Sequence, residues 1–161
     1  MDEKGLQRKV LSFIFNDDAF LALRNNPHPY HGGDFWFVVT GGVENGESYK
    51  NAVKREIKEE TGLNSNKIIP LNWGSIYEWN NITCNERNYL TYVDKGEIVL
   101  NEEHIEYEWL ALDKFIKKIK WGNDRRLLKT VLDKAINGKQ YFDIMTFKDY
   151  RERNDTCLSL V

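Results

Sequence analysis

The chain has 161 residues, 23 Lys and Arg against 25 Asp and Glu, and a formal net charge of −2 at pH 7. Hydrophobic residues make up 41% and charged residues 30%, which argues against a disordered chain and predicts one soluble domain over residues 1–161. The near-neutral balance argues against a nucleic-acid-coating protein, and no apolar run approaches the roughly 20 residues of a membrane helix. Met1-Asp2-Glu3-Lys4 lacks the basic-then-apolar layout of a secretory signal. The two cysteines, Cys84 and Cys157, have neither pairing nor metal spacing, which predicts a reducing, cytoplasmic setting.

In chain order, Lys9 to Phe15 is apolar and β-favouring, Asn16-Asp17-Asp18 supplies turn chemistry, and Ala19 to Leu23 reads as the returning strand of a hairpin. A loop rich in Pro, His and Gly covers Asn25 to Asp34. Phe35 to Thr40 reads as a short buried strand that Gly41-Gly42 ends. The period then changes: Ser48 is an N-cap candidate, Ala52, Val53 and Ile57 form one helical stripe, and Gly62 stands where a left-handed cap is wanted. Strands are expected at Ile68–Leu71, Gly74–Trp79, Tyr89–Val93 and Glu106–Leu110. A helix is expected from near Leu112 and another over Asn123–Ile136, which Gly138 breaks. Tyr141 to Phe147 reads as a last strand before a polar tail, Lys148 to Val161, so that a C-terminal extension runs from about 138 to 161. Strands alternating with helices predict an α/β or α+β domain with a mixed sheet.

One segment carries chemistry. Glu56, Glu59 and Glu60 stand at i, i+3 and i+4, on one helical face, with Glu47 just before the helix. Like charges so spaced repel one another, and something positive must offset them. Lys54, Arg55 and Lys58 supply part of that. An ordered carboxylate cluster is also a means of holding Mg²⁺, whereas a lone E-x-x-E-E is ordinarily a solvated acidic face. The flanks decide between the two. The string from Gly41 to Leu63 fits G-x5-E-x7-R-E-U-x-E-E-x-G-U, with U aliphatic, at every specified position. Chance agreement somewhere in the chain is roughly one in ten million.

That string resembles the signature of the Nudix hydrolases. The resemblance implies an α/β/α sandwich that hydrolyses a nucleoside diphosphate linked to another group, with Mg²⁺ (or Mn²⁺) as cofactor. By position, Glu56, Glu59 and Glu60 would bind metal, Arg55 would orient the carboxylates, and Glu47 would support metal or water from the loop. Glu59 is the proposed general base. Gly41 and Gly62 would permit tight turns beside the helix. The physical logic agrees: a polyanionic pyrophosphate approaches carboxylates only when cations stand between them.

FWFVVTGG and the phrase from Glu103 to Leu110 (E-H-I-E-Y-E-W-L), followed by Trp121-Gly122-Asn123, look like the bacterial dihydroneopterin triphosphate and dNTP pyrophosphohydrolases. In that group Glu103 matches a distal acid that completes the metal site. Arg24 is a candidate phosphate contact because its planar fork suits phosphate oxygens. Gly41 and Gly42 are candidate substrate-side positions. Trp36, with Trp73, Tyr77, Trp79 and Tyr89, offers flat surfaces for a base or pterin. His28 and His31, in the loop before the signature strand, read as solvent contacts. The expected function is metal-dependent cleavage of a nucleoside or dihydroneopterin triphosphate to monophosphate and pyrophosphate. The alternatives are a diadenosine polyphosphate or nucleotide-sugar hydrolase, or a non-catalytic nucleotide-binding module. The expected partner is a small-molecule triphosphate, with neither membrane nor nucleic acid; homodimers are common in the family, which makes a homodimer a further expectation.

Overall fold

A computed structural model describes residues 5–27, 32–94 and 96–139. Strand β1 (Leu6–Asn16) is central, because its side chains alternate between two cores. Leu11, Phe13 and Phe15 point into one core, and Val10 and Ile14 into the other. Asp17 and Asp18, with φ of 48° and 65°, form the two-residue turn that returns the chain as β2 (Ala19–Asn25).

The two arms then part. β1 and β2 are in register only at Phe15↔Phe20 and Asn16↔Ala19. The segment expected to be one strand over Phe35–Thr40 enters the gap as two. β3 (Trp36–Phe37) pairs with β2, and β4 (Val39–Gly42) pairs with β1. The break lies at Val38, which packs into one core while Val39 packs into the other. Gly41 and Gly42 therefore do not end the strand; they pair with Val10 and Lys9.

Helix α1 (Tyr49–Thr61) has the predicted caps. Ser48 Oγ accepts from the Asn51 amide at 3.1 Å, and Gly62 closes the helix at φ 76°. Ala52, Val53 and Ile57 are fully buried against the face of Val10 and Ile14. β5 (Ser65–Trp79) and β6 (Ile82–Val93) form a long hairpin turned by Asn80 and Asn81, at φ 51° and 62°. The two strands expected at Ile68–Leu71 and Gly74–Trp79 are one strand whose register shifts between Pro70 and Gly74. β6 runs parallel to β1 from Leu6↔Thr83 to Phe15↔Tyr92, and β7 (His104–Leu110) covers the far edge of β2.

Helices α2 (Leu112–Lys118) and α3 (Arg125–Ile136) close the second face, with Asp124 rather than Asn123 capping α3. Phe115 stacks on Phe20 at 5.0 Å between ring centroids, and Leu128, Val131 and Leu132 fill in behind. The result is a mixed sheet between α1 on one side and α2 and α3 on the other, the expected α/β class. The expected strand at Tyr141–Phe147, the tail after it, His28, His31 and Cys157 lie outside the described residues. Cys84 is a buried free thiol. Among the described residues no helix is long and apolar enough to cross a membrane.

The Phe20–Phe115 contact joins α2 to the sheet. Phe115→Ala is expected to lower unfolding free energy by about 3–5 kcal/mol, read as a lower urea midpoint at unchanged slope.

Candidate active site

The guanidinium of Arg55 organises the site. Its Nε and Nη2 donate to Glu47 Oε2 and Oε1 at 2.8 and 2.9 Å, a fork-on-fork pair. Nη2 also donates to the Gly42 carbonyl at 2.8 Å, and Nη1 to Glu56 Oε1 at 2.8 Å and Glu59 Oε2 at 3.4 Å. One side chain thus ties the loop, the end of β4 and the acidic helix face together. Glu47 Oε1 also accepts from the Glu44 amide at 3.0 Å. Arg55 holds the Glu47 carboxyl down to about 2, and in turn its own proton is bound more tightly.

The helix acids sit at graded depths. Side-chain exposure is 53% for Glu59, 12% for Glu56 and 2% for Glu60. Glu56 lies against Gly41, where any Cβ would overlap its carboxyl group. Burial raises the Glu56 carboxyl, against the pull of Arg55. Burial raises Glu60 much further, and the neighbouring carboxyls of Glu56, Glu103 and Glu59 add to it. Glu60 Oε2 is buried with no hydrogen-bond partner, a costly state for a carboxyl oxygen. Glu103 is half-buried, braced by the Asn101 side chain at 3.1 Å.

Glu60 and Glu103 open onto a cleft of about 940 Å³. Its walls include Lys9, Thr40, Phe35, Phe37, Tyr77 and Trp79.

Several sequence expectations meet a different geometry. Arg24 does not line the cleft. Its fork is taken by Asp34 at 2.9 and 2.8 Å and by Glu106 at 3.1 Å, so a phosphate would have to displace a carboxylate. Trp36 packs against the core with the Lys118 ammonium 4.4 Å over its ring, while its neighbours Phe35 and Phe37 face the cleft. Gly41 and Gly42 serve the acids rather than the cleft: one makes room for Glu56 and the other offers its carbonyl to Arg55. Tyr89 is core. Tyr77 and Trp79 do line the cleft.

One residue was read only as part of a phrase, and one escaped sequence reasoning. His104 is buried with Nδ1 3.6 Å from Glu60 Oε1. Its place directly after Glu103, at the start of a strand, was the available signal. Glu86 is a carboxylate inside a strand, 9% exposed, that faces the same cleft.

A divalent cation fits this donor set. The site offers hard carboxylate oxygens, one of them buried and unpartnered, in a cluster short of positive charge. Among the described residues no three of these side chains already converge as ligands. Arg55 instead holds Glu56 Oε1 and Glu59 Oε2.

Comparisons with known proteins agree with the geometry. The family model for the NUDIX domain matches residues 5–131. The dihydroneopterin triphosphate diphosphatase of Haemophilus influenzae is 30% identical over 141 residues, covering 78% of this chain and 87% of that one. The NAD-capped RNA hydrolase NudC of Escherichia coli is 30% identical over 105 residues, covering 65% of this chain but 38% of that protein. The crystal structure of the MutT protein from Methanosarcina mazei Go1 matches with a TM-score of 0.65 at 26% identity, over 86% of this chain and 100% of that one.

Gly41→Ala should push the Glu56 carboxyl off its seat. The expected result is a loss of hydrolytic turnover of about tenfold or more, with unfolding midpoint changed far less. A second prediction concerns pH. The folded Glu60 carboxyl holds its proton above the ordinary 4.5, so its contribution to stability is full below that pH and declines as pH rises. Glu47, held down to about 2, acts in the opposite sense but only below its ordinary 4.5. Without divalent metal, the melting temperature should therefore fall between about pH 6 and pH 9, and Mg²⁺ should raise it more at the alkaline end. A flat profile in both conditions contradicts this account of Glu60.

Proposed function

This chain belongs to the Nudix hydrolase family, and on that premise we propose that it hydrolyses a nucleoside or dihydroneopterin triphosphate to the monophosphate and pyrophosphate in the cytoplasm. The observation that carries the reading is the buried, partnerless Glu60 Oε2 at the mouth of a cleft large enough for a nucleotide, beside an acidic helix face locked by Arg55. The likeness to the Haemophilus influenzae diphosphatase supports the substrate class.

Glu56, Glu59, Glu60 and Glu103 are the residues that would hold Mg²⁺ or Mn²⁺, which would neutralise the polyphosphate oxygens as they enter. The protein's own groups do the rest. Water adds at phosphorus, the anhydride P–O bond breaks, and pyrophosphate leaves with the electron pair of that bond. The water proton passes to a carboxylate, a role we assign to Glu59; its exposed carboxyl, against the deeper Glu56 and Glu60, supports the reading. Arg55 fixes the positions of Glu47 and Glu56, so these groups need little reorganisation when charge builds on the phosphate. Lys9 and Lys120 line the cleft wall and would meet phosphate oxygens alongside any contribution from Arg24.

Incubation with Mg²⁺ and a triphosphate should release pyrophosphate and monophosphate in equal amounts, with no free phosphate. Glu59→Gln should lower kcat by about tenfold or more with a smaller change in KM. Turnover within about threefold of wild type would remove Glu59 from the role of base. Inertness towards every triphosphate tested would overturn the substrate class.

A further inference from the structure

The dipeptide Asn-Gly occurs twice in the chain, at Asn45-Gly46 and at Asn137-Gly138. Asparagine before glycine is labile in water, because the next backbone nitrogen can reach the side-chain carbonyl carbon and glycine brings no Cβ to hinder it. Both pairs are exposed, and both glycines have positive φ, 79° and 73°. Their hydrogen bonds differ. Asn137 Nδ2 donates to the Asp133 carbonyl at 2.7 Å, and the Gly138 amide donates to the Ala135 carbonyl at 3.1 Å. Both reacting groups are therefore held at the end of α3. Among the described residues no hydrogen bond reaches the Asn45 carboxamide or the Gly46 amide.

Asn45 and Gly46 are the central residues of a β-turn that the Glu47 amide closes on the Glu44 carbonyl at 3.0 Å. The same two glutamates meet again where the Glu44 amide donates to Glu47 Oε1 at 3.0 Å. Glu47 in turn holds the fork of Arg55. The length of chain between Glu44 and Glu47 thus sets how Glu47 meets the guanidinium.

We propose that Asn45 is a modification site that deamidates without an enzyme, and that its isoaspartate product loosens Glu47 from Arg55. The Gly46 nitrogen gives its proton to a solvent base and bonds to Asn45 Cγ. The Cγ–Nδ2 bond breaks, its electron pair leaving with the nitrogen, which takes a proton from water and departs as ammonia. Water then opens the succinimide ring at either carbonyl, giving aspartate or isoaspartate. Isoaspartate carries the backbone through the former side chain, which adds a methylene between Glu44 and Glu47 and leaves a pendant carboxylate beside them. That charge joins Glu44, whose carboxyl already lies 4.0 Å from Arg55 Nε, in competing with Glu47 for the guanidinium. The conversion is independent of the hydrolytic reading above; its effect on turnover rests on that reading.

The test ages wild type in warm, mildly alkaline buffer, folded and in urea, and maps isoaspartate in the tryptic peptides that end at Lys50 and Lys139. In urea the two Asn-Gly pairs should convert at similar rates. In the folded protein Asn45 should convert faster than Asn137 by about tenfold or more, because two hydrogen bonds must open before Asn137 reacts. Equal rates there, or faster conversion of Asn137, overturn the inference. The isoaspartate form should lose kcat by about tenfold or more, together with the Arg55 Nε–H signal that Glu47 shelters in NMR spectra. Asn45→Asp, which adds the charge without the methylene, should stay within about threefold of wild type. Asn45→Gln aged in the same way should keep both its activity and its signal. Full activity and an intact Arg55 signal in the isoaspartate form, or an equal loss in Asn45→Asp, overturn the link to Glu47. Inertness of fresh protein to every triphosphate sinks the hydrolytic reading instead, and the peptide map with the Arg55 signal still decides on Asn45.

Discussion

The contact on which the rest depends is the guanidinium of Arg55. It touches the loop, the strand end and the helix at once, through Glu47, the Gly42 carbonyl and Glu56. Without a cation at that point, Glu47, Glu56 and Glu59 would repel one another. Arginine suits the place better than lysine because its planar fork meets Glu47 with two bonds and still has a third edge for the helix. The glycine pair follows from the same constraint. Gly41 leaves the space that Glu56 fills, and Gly42 turns its carbonyl to the guanidinium.

Arg55 does not neutralise the whole cluster, and the shortfall is graded along the helix. Glu59 is solvated and Glu56 is shared with Arg55, while Glu60 is buried beyond the guanidinium's reach. A fold selected for stability alone would place a leucine at position 60. Keeping a carboxyl there, with one oxygen unpartnered, sacrifices stability for a group that a divalent cation would find already desolvated. His104, 3.6 Å from the other oxygen, limits the ways Glu60 can turn.

Legibility in the sequence divided along physical lines. Helix α1 could be read almost to the residue because Ser48, the Ala52-Val53-Ile57 stripe and Gly62 are all local signals. The acids came with it, since helical spacing alone places them on one face. The division of the FWFVVT segment into β3 and β4 was not legible: it follows from the parting of β1 and β2, a tertiary event with no local marker at Val38. The merging of two expected strands into β5 has the same cause, because pairing to β6 carries the strand across the shift between Pro70 and Gly74. The contacts of Arg24 and Trp36 were not legible for a related reason. Their residue types suit a substrate, but their partners, Asp34, Glu106 and Lys118, come from elsewhere in the chain or from another element. Glu86 escaped because one acid in a strand carries no periodic signal.

The parting of β1 and β2 also divides the residues around the cleft between the two cores. The acids ride on α1, which is packed by Ala52, Val53 and Ile57 against one core. Trp73, Phe37 and Trp121 pack with the other core, on the side of α2 and α3. Glu60 from the first side and Phe37 from the second meet on the wall of the same cleft.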